Sequence, residues 1–180
     1  SMSIFSQFSF VGINSKKTDR LNIINKTSTK VPEPSDIAID PENGNYYIVS
    51  DNGILFETNN KGVVIRKSKD LGFDFEGVEI VGDKIFVSDE SARKVMEYSK
   101  SDFTLIKAFR LPYAGGRNEG FESITYNPTS KKFILISEKD PVTIFEYDEH
   151  FHLLDEYPVK GVRDISSARW YEDKIYLLSD

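Results

Sequence analysis

The sequence predicts an all-β fold, a β-propeller of four-stranded blades, and three observations lead there. Aromatic residues reach 13%, with 13 Phe and 9 Tyr, a composition suited to half-buried pleated surfaces. No long stretch carries the i, i+3, i+4, i+7 apolar stripe of an amphipathic helix. Four segments repeat one pattern: "SDIAIDPENGNYYIVSD" from Ser35, "FEGVEIVGDKIFVSDE" from Phe75, "FESITYNPTSKKFILISEKD" from Phe121 and "ISSARWYEDKIYLLSD" from Ile165. A repeat decides architecture more firmly than propensity does, because one unit that cannot bury its own face must stack on its neighbours.

Each repeat reads as strand, tight turn, strand. The turns Pro41-Glu42-Asn43-Gly44, Val81-Gly82-Asp83, Asn127-Pro128-Thr129-Ser130 and Tyr171-Glu172-Asp173 carry the Gly, Pro, Asn and Asp that reversals demand. Two more strands follow each of the first three hairpins, at 54–58 with 63–67, 94–98 with 105–109, and 143–147 with 152–157. Aligned on Asp36, Glu76, Glu122 and Ser166, the periods are 40, 46 and 44 residues, the length of one propeller blade. The innermost strand of a blade is covered on both faces, so it should be short and apolar. "DIAI", "GVEI", "SITY" and "SARW" are interrupted by Glu79, Thr125 and Arg169, whose side chains must find partners at the channel or between blades. A β-sandwich of hairpins is the alternative, but it requires no such period.

This divides the chain into complete blades at 33–73, 74–118 and 119–163 and a partial one at 164–180. Residues 1–32 form an N-terminal segment with strand candidates at 4–11 and 21–25. Those strands could complete the last blade and remove an exposed sheet edge, giving a closed four-bladed ring. The other arrangement is an arc of a larger ring.

Charge and composition exclude several function classes. Lys plus Arg number 23 against 29 Asp plus Glu, a net charge of -6, so no diffuse positive field holds a nucleic-acid backbone. No apolar run approaches the roughly 20 residues of a membrane span. With no cysteine there is neither a disulfide nor a thiol nucleophile. The Ser1-Met2 start reads as a cleavage scar, which leaves room upstream for a signal peptide or anchor. No "GxSxG" elbow is present, and Ala114-Gly115-Gly116 lacks the lysine of a phosphate loop.

Carboxylates carry the most informative chemistry. Each complete blade has one at the start of its inner strand and one at the end of the second: Asp36 with Asp51, Glu76 with Asp89 or Glu90, and Glu122 with Glu138. Hairpin geometry puts both members of a pair at the end far from the turn. Blade symmetry then gathers Asp36, Glu76 and Glu122 at one channel mouth. Converging carboxylates repel one another, and a hard cation with six to eight oxygen ligands relieves the repulsion, so calcium is the expected ion. The alternative for these three is ion pairing with Arg117, Arg163 or Arg169. For Asp51, Asp89, Glu138 and Asp180 it is acceptance of turn backbone amides. Arg117 and Arg163 precede inner strands, where guanidinium forks suit a small anionic ligand, and Glu138 and Asp89 would line the same mouth. His150 and His152 alternate on an outer strand between Asp148 and Asp155, a setting for solvent more than for zinc.

The stretches "VPEPSDIAIDPENGNYYIVSDNG", "DFEGVEIVGDKIFVSDE" and "NEGFESITYNPTSKKFILISEKD" together resemble the SdiA-regulated family of bacterial propellers. That family is similar to the phytase-like esterase propellers. The resemblance implies a six-bladed ring in an exported or membrane-anchored bacterial protein, and calcium binding. Two functions follow as expectations. One is an extracytoplasmic calcium-binding module that meets a small anionic ligand or a cell-envelope protein. The other is a metal-dependent hydrolase of anionic esters, with a channel carboxylate activating water.

Overall fold

The structure is a computed structural model and describes residues 8–10, 19–20, 26–69, 74–111, 120–137, 141–161 and 165–179. Its described residues form strands and turns, without a helix. Three blades run in chain order from inside to outside. Blade 1 comprises β3 (Pro34–Ile39), β4 (Tyr46–Ser50), β5 (Ile54–Thr58) and β6 (Val64–Lys67). Blade 2 comprises β7 (Phe75–Val81), β8 (Lys84–Asp89), β9 (Lys94–Ser99) and β10 (Leu105–Arg110). Blade 3 comprises β11 (Phe121–Asn127), β12 (Lys132–Ser137), β13 (Thr143–Tyr147) and β14 (Leu153–Pro158).

Blade 4 has β15 (Ile165–Tyr171) and β16 (Lys174–Ser179) inside, and takes its outer strands from the N-terminal segment, β1 (Phe8–Phe10) and β2 (Asp19–Arg20). The pairing is antiparallel, with Phe8 opposite Leu178 and Ser9 opposite Leu177. The expected all-β propeller of four-stranded blades is therefore what the chain builds, and four sheets are present among its described residues.

One alignment drawn from the sequence is corrected by the register. Every inner strand begins with a β-bulge: pairing skips one residue between Pro34 and Asp36, Phe75 and Gly77, Phe121 and Ser123, and Ile165 and Ser167. The skipped residues are Ser35, Glu76, Glu122 and Ser166, so Asp36 is equivalent to Gly77, Ser123 and Ser167 and not to Glu76. A bulge turns its extra residue away from the alternation of the strand. A one-residue shift therefore sends Asp36 into a joint between blades, while Glu76 and Glu122 occupy bulge positions in neighbouring blades, near enough for the Glu122 charge to act on Glu76.

Inner strands leave one edge of backbone groups without a ladder partner, and buried groups of this kind must be satisfied. Here side chains from the preceding blade do so. Asp36 accepts from the Val78 amide at 2.9 Å, Glu79 from the Tyr126 amide at 3.0 Å, and Ser123 and Thr125 from the Ala168 and Trp170 amides, each at 2.8 Å. The polar interruptions of the apolar strands are thus the pins between blades. In the joint between blades 2 and 3, where Glu79 is the pin, Gly77 stands at the position of Asp36 and Ser123; a Cβ there would lie 2.7 Å from the Ile124 nitrogen and 2.9 Å from the Ser123 Cα, so the two backbones approach too closely for a side chain at that position.

Apolar clusters complete these joints. Tyr47, Val49 and Leu55 of blade 1 pack with Phe75, Val78 and Ile85 of blade 2. Phe86 and Val95 pack with Ile124, Phe133 and Phe145 of blade 3, and Ile136 and Val142 with Ile165, Ala168 and Leu177 of blade 4. The turns before the outer strands add a second contact. Phe103 and Phe151 both hold φ near +61°, a left-handed conformation costly for a bulky residue. Each reaches back to the preceding blade: Phe103 packs edge-on against Tyr47, and Phe151 stacks on Phe133 at 4.5 Å and meets Phe86 and Phe109.

Candidate functional site

The bulge gives the channel mouth its chemistry. In blade 2 the bulge is closed by the Glu90 amide, which donates to the Asp74 carbonyl at 3.0 Å. Asp74 and Glu76 flank Phe75 on one strand, and Glu90 directly follows the strand it pairs with. The result is a group in which one carboxylate oxygen each from Asp74, Glu76 and Glu90 lies within 4.8 Å of the others. All three side chains are half-buried.

Glu76 is the centre of this group electrostatically. Its pKa is pushed up to about 8, first by burial and then by the negative charges of Glu122, Asp51, Asp74 and Glu90. Each of the neighbours acting most strongly on it opposes ionisation, so these carboxylates repel one another. The arrangement fits a hard cation: calcium takes oxygens at about 2.3–2.6 Å, so two ligands of one ion sit up to about 5 Å apart. Other bonds orient the carboxylates. The Ser91 hydroxyl donates to Asp74 at 2.6 Å, the Gly120 amide to Glu90 at 3.3 Å, and the Ser35 hydroxyl to Asp51.

The residues singled out in the sequence divide among three settings. Glu76 stands with Asp74 and Glu90, with the Glu122 charge acting on it. Asp36 is buried in the joints between blades 1, 2 and 4, where Val78, Ser167 and Arg169 donate to it at 2.9, 2.8 and 3.0 Å. Burial raises its pKa, against the opposing charge of Arg169 and these hydrogen bonds. Asp89 accepts from the Ala92 amide at 2.8 Å, the turn-fixing role given above as its alternative. Arg117, Arg163, Glu138 and Asp180 lie outside the described residues. His152 pairs with Asp148 at 3.0 Å on the exposed edge of blade 3.

Asp74 was missed by sequence reasoning. It precedes the aligned repeat, and its i, i+2 spacing from Glu76 puts both on one side of an extended strand; the signal available was the acid-Phe-acid run Asp74-Phe75-Glu76. Glu79 is the other buried carboxylate near the axis. It accepts from Ile80, Thr125 and Tyr126 at 2.8, 2.8 and 3.0 Å, and burial raises its pKa while Arg169 opposes the rise.

The family model described as SdiA-regulated matches residues 16–180. The chain belongs to the SdiA-regulated family. Among solved structures, Kuenenia stuttgartiensis hydrazine synthase is similar with a TM-score of 0.62 and 13% identity, over 86% of this chain and 44% of that one. This chain thus spans less than half the length of that relative. At this identity the likeness is one of fold, and it agrees with the propeller seen here. For the SdiA-regulated chain itself, the blade-2 mouth is where the described carboxylates converge.

Proposed function

We propose that this SdiA-regulated propeller is a calcium-binding module, with Asp74, Glu76 and Glu90 as first ligands and Glu122 and Asp51 completing the negative field. The carrying observation is the convergence of Asp74, Glu76 and Glu90, one carboxylate oxygen of each within 4.8 Å of the others; burial and four surrounding carboxylates push the Glu76 carboxyl up to about 8. A bound divalent cation would reverse that repulsion and hold Glu76 ionised at neutral pH. Magnesium suits the site less well, since it demands a tight octahedron and dehydrates reluctantly.

The module is proposed to work outside the cytoplasm in a bacterium, where sites of about 10⁻⁴–10⁻³ M affinity are filled by ambient calcium. There it would present its blade loops to a small anionic ligand or a cell-envelope protein. Isothermal titration of metal-stripped protein tests the core of this reading. Calcium should bind with higher affinity than magnesium, and Glu76→Gln should weaken it. Absence of calcium binding in the wild type overturns the proposal.

A second reading is favoured by the same pKa. Once a bound cation has displaced its proton, the Glu76 carboxylate could take one from water, as the base of a metal-dependent phosphoester or carboxylic ester hydrolase would. Calcium-dependent turnover of a chromogenic phosphoester, abolished in Glu76→Gln, would support it; no turnover by calcium-loaded protein sinks it.

A further inference from the structure

The outermost strands of blades 1, 2 and 3 share one irregularity. In each, pairing with the neighbouring strand skips a residue: Ile65 in β6, Ile106 in β10 and Leu154 in β14. The skipped residue and the one before it are apolar and open to solvent. Leu105 and Ile106 are 47% and 54% exposed, and Leu153 and Leu154 are 50% and 51% exposed. An edge strand with free backbone groups and apolar side chains attracts another chain, and a bulge turns it away from indiscriminate backbone pairing. Contact at these rims is therefore left to the side chains.

Charge separates the rims of blades 2 and 3. The charged residues of β10 are the cations Lys107 and Arg110, whereas those of β14 are the acids Asp155 and Glu156. All four are exposed. Among the described residues neither cation is paired with a carboxylate and neither acid with a cation. Lys107 lies over the Phe109 ring at 4.6 Å, and Asp155 accepts from the Tyr157 hydroxyl at 2.9 Å. Blade 1 differs, because Arg66 of β6 is already bound to Glu57 and to the Lys100 and Ser101 carbonyls of blade 2. Laid side by side, β10 and β14 are complementary in either direction. In parallel, Ile106 meets Leu154 and Lys107 meets Asp155; in antiparallel, Ile106 meets Tyr157 and Lys107 meets Glu156.

We propose that this protein associates with itself rim to rim, the acidic edge β14 of one copy seated on the basic edge β10 of the next. Two like rims repel, so a two-fold dimer through either one is disfavoured. The contact is head-to-tail, and it adds copies one after another unless its rotation closes a ring. A contact one strand wide buries less than the roughly 1,200 Å² of a stable interface, so the association is weak and shows at high protein concentration. Neither blade 4 nor the carboxylate group of Asp74, Glu76 and Glu90 takes part in it.

Sedimentation equilibrium of the full chain, from micromolar to millimolar concentration, tests this. In low salt the wild type should gain mass with concentration without stopping at a dimer, and high salt should reverse the gain. Reversing the basic rim with Lys107→Glu and Arg110→Glu should raise the dissociation constant at least about tenfold, because like charges then face one another. Reversing the acidic rim with Asp155→Lys and Glu156→Lys should do the same. Mixing the two double variants should restore association, since each reversed rim then finds its complement on the other protein. A wild type that stays monomeric at millimolar concentration overturns the proposal, as do variants that associate like the wild type or a mixture that stays monomeric. Loss of association in Ile65→Asp but in neither double variant would assign the contact to β6 and overturn it too. Binding of a monomeric wild type to phosphatidylglycerol vesicles would give the basic rim to a lipid surface instead.

Discussion

Glu79 of blade 2 accepts a hydrogen bond from the Thr125 hydroxyl of blade 3 at 2.8 Å. That hydroxyl in turn accepts from the Trp170 amide of blade 4 at 2.8 Å, so one oxygen couples three blades. Thr125→Val keeps the shape and removes both bonds, leaving a buried carboxylate and amide short of a partner. Chemical denaturation should show a loss of about 1–3 kcal/mol. Thr125→Ser should restore most of it; equal losses for both variants would mean that packing, and not the hydrogen-bond relay, is at stake.

Glu76 sets a pH dependence whose sign is fixed by its raised pKa. From 4.5, the ordinary value, to about 8 in the fold, the folded state binds more protons than the unfolded state, so stability contributed by this group falls as pH rises through that window. In metal-free protein, Glu76→Gln should therefore have a higher melting temperature than wild type at pH 8 and a similar one at pH 4. A variant less stable than wild type at pH 8 contradicts the proposed repulsion.

Calcium should reverse that ranking. At about a hundredfold over its dissociation constant a native-state ligand adds about 2.7 kcal/mol, which for a chain of this size is roughly 5–10 °C in melting temperature. The increment should shrink in Asp74→Asn, Glu76→Gln and Glu90→Gln. Asp148→Asn is the comparison, since Asp148 only accepts turn amides from His150 and His152 and pairs with the His152 ring; its calcium increment should match the wild type.

Half-buried Arg169 pairs with the buried carboxylate of Asp36, 3.0 Å away. Arg169→Ala strands a buried carboxylate, a change that costs about 3–5 kcal/mol. The Asp36 pKa, already raised by burial, then rises further, so the loss should be larger at pH 8 than near the ordinary carboxylate pKa. Adding Asp36→Asn should recover part of the loss at pH 8, where the unpaired charge is the problem. A double variant less stable than Arg169→Ala there would refute this account.

Phe151 holds a left-handed φ of 61° and stacks at 4.5 Å on Phe133. Its burial between blades 2 and 3 outweighs the backbone strain. Phe151→Ala should cost about 3–4 kcal/mol, whereas Phe151→Gly should do no worse despite its smaller side chain, because glycine relieves the strain. A clear further loss in the glycine variant would show that the turn carries no strain.

The sequence by itself determined the all-β class, the four-stranded repeat and its hairpins, because turn chemistry and a period of one blade are local properties. It also pointed to Asp36, Glu76 and Glu122 as one set of carboxylates, since all three stand near the head of an inner strand in the aligned repeats. The tertiary structure decided which acid lies where. A bulge at the head of each inner strand shifts the register by one residue, which sends Asp36 into a joint, and the pairing of β7 with β8 brings Glu90 beside Asp74 and Glu76. Bulges arise from pairing between strands, and no periodicity within one strand announces them. The ion pair of Asp36 with Arg169 was among the alternatives read from the sequence, but the backbone groups that Glu79, Thr125 and Arg169 meet in the neighbouring blade, some 45 residues away, were not legible there. Only closing the blades around a common axis brings those groups within hydrogen-bond reach.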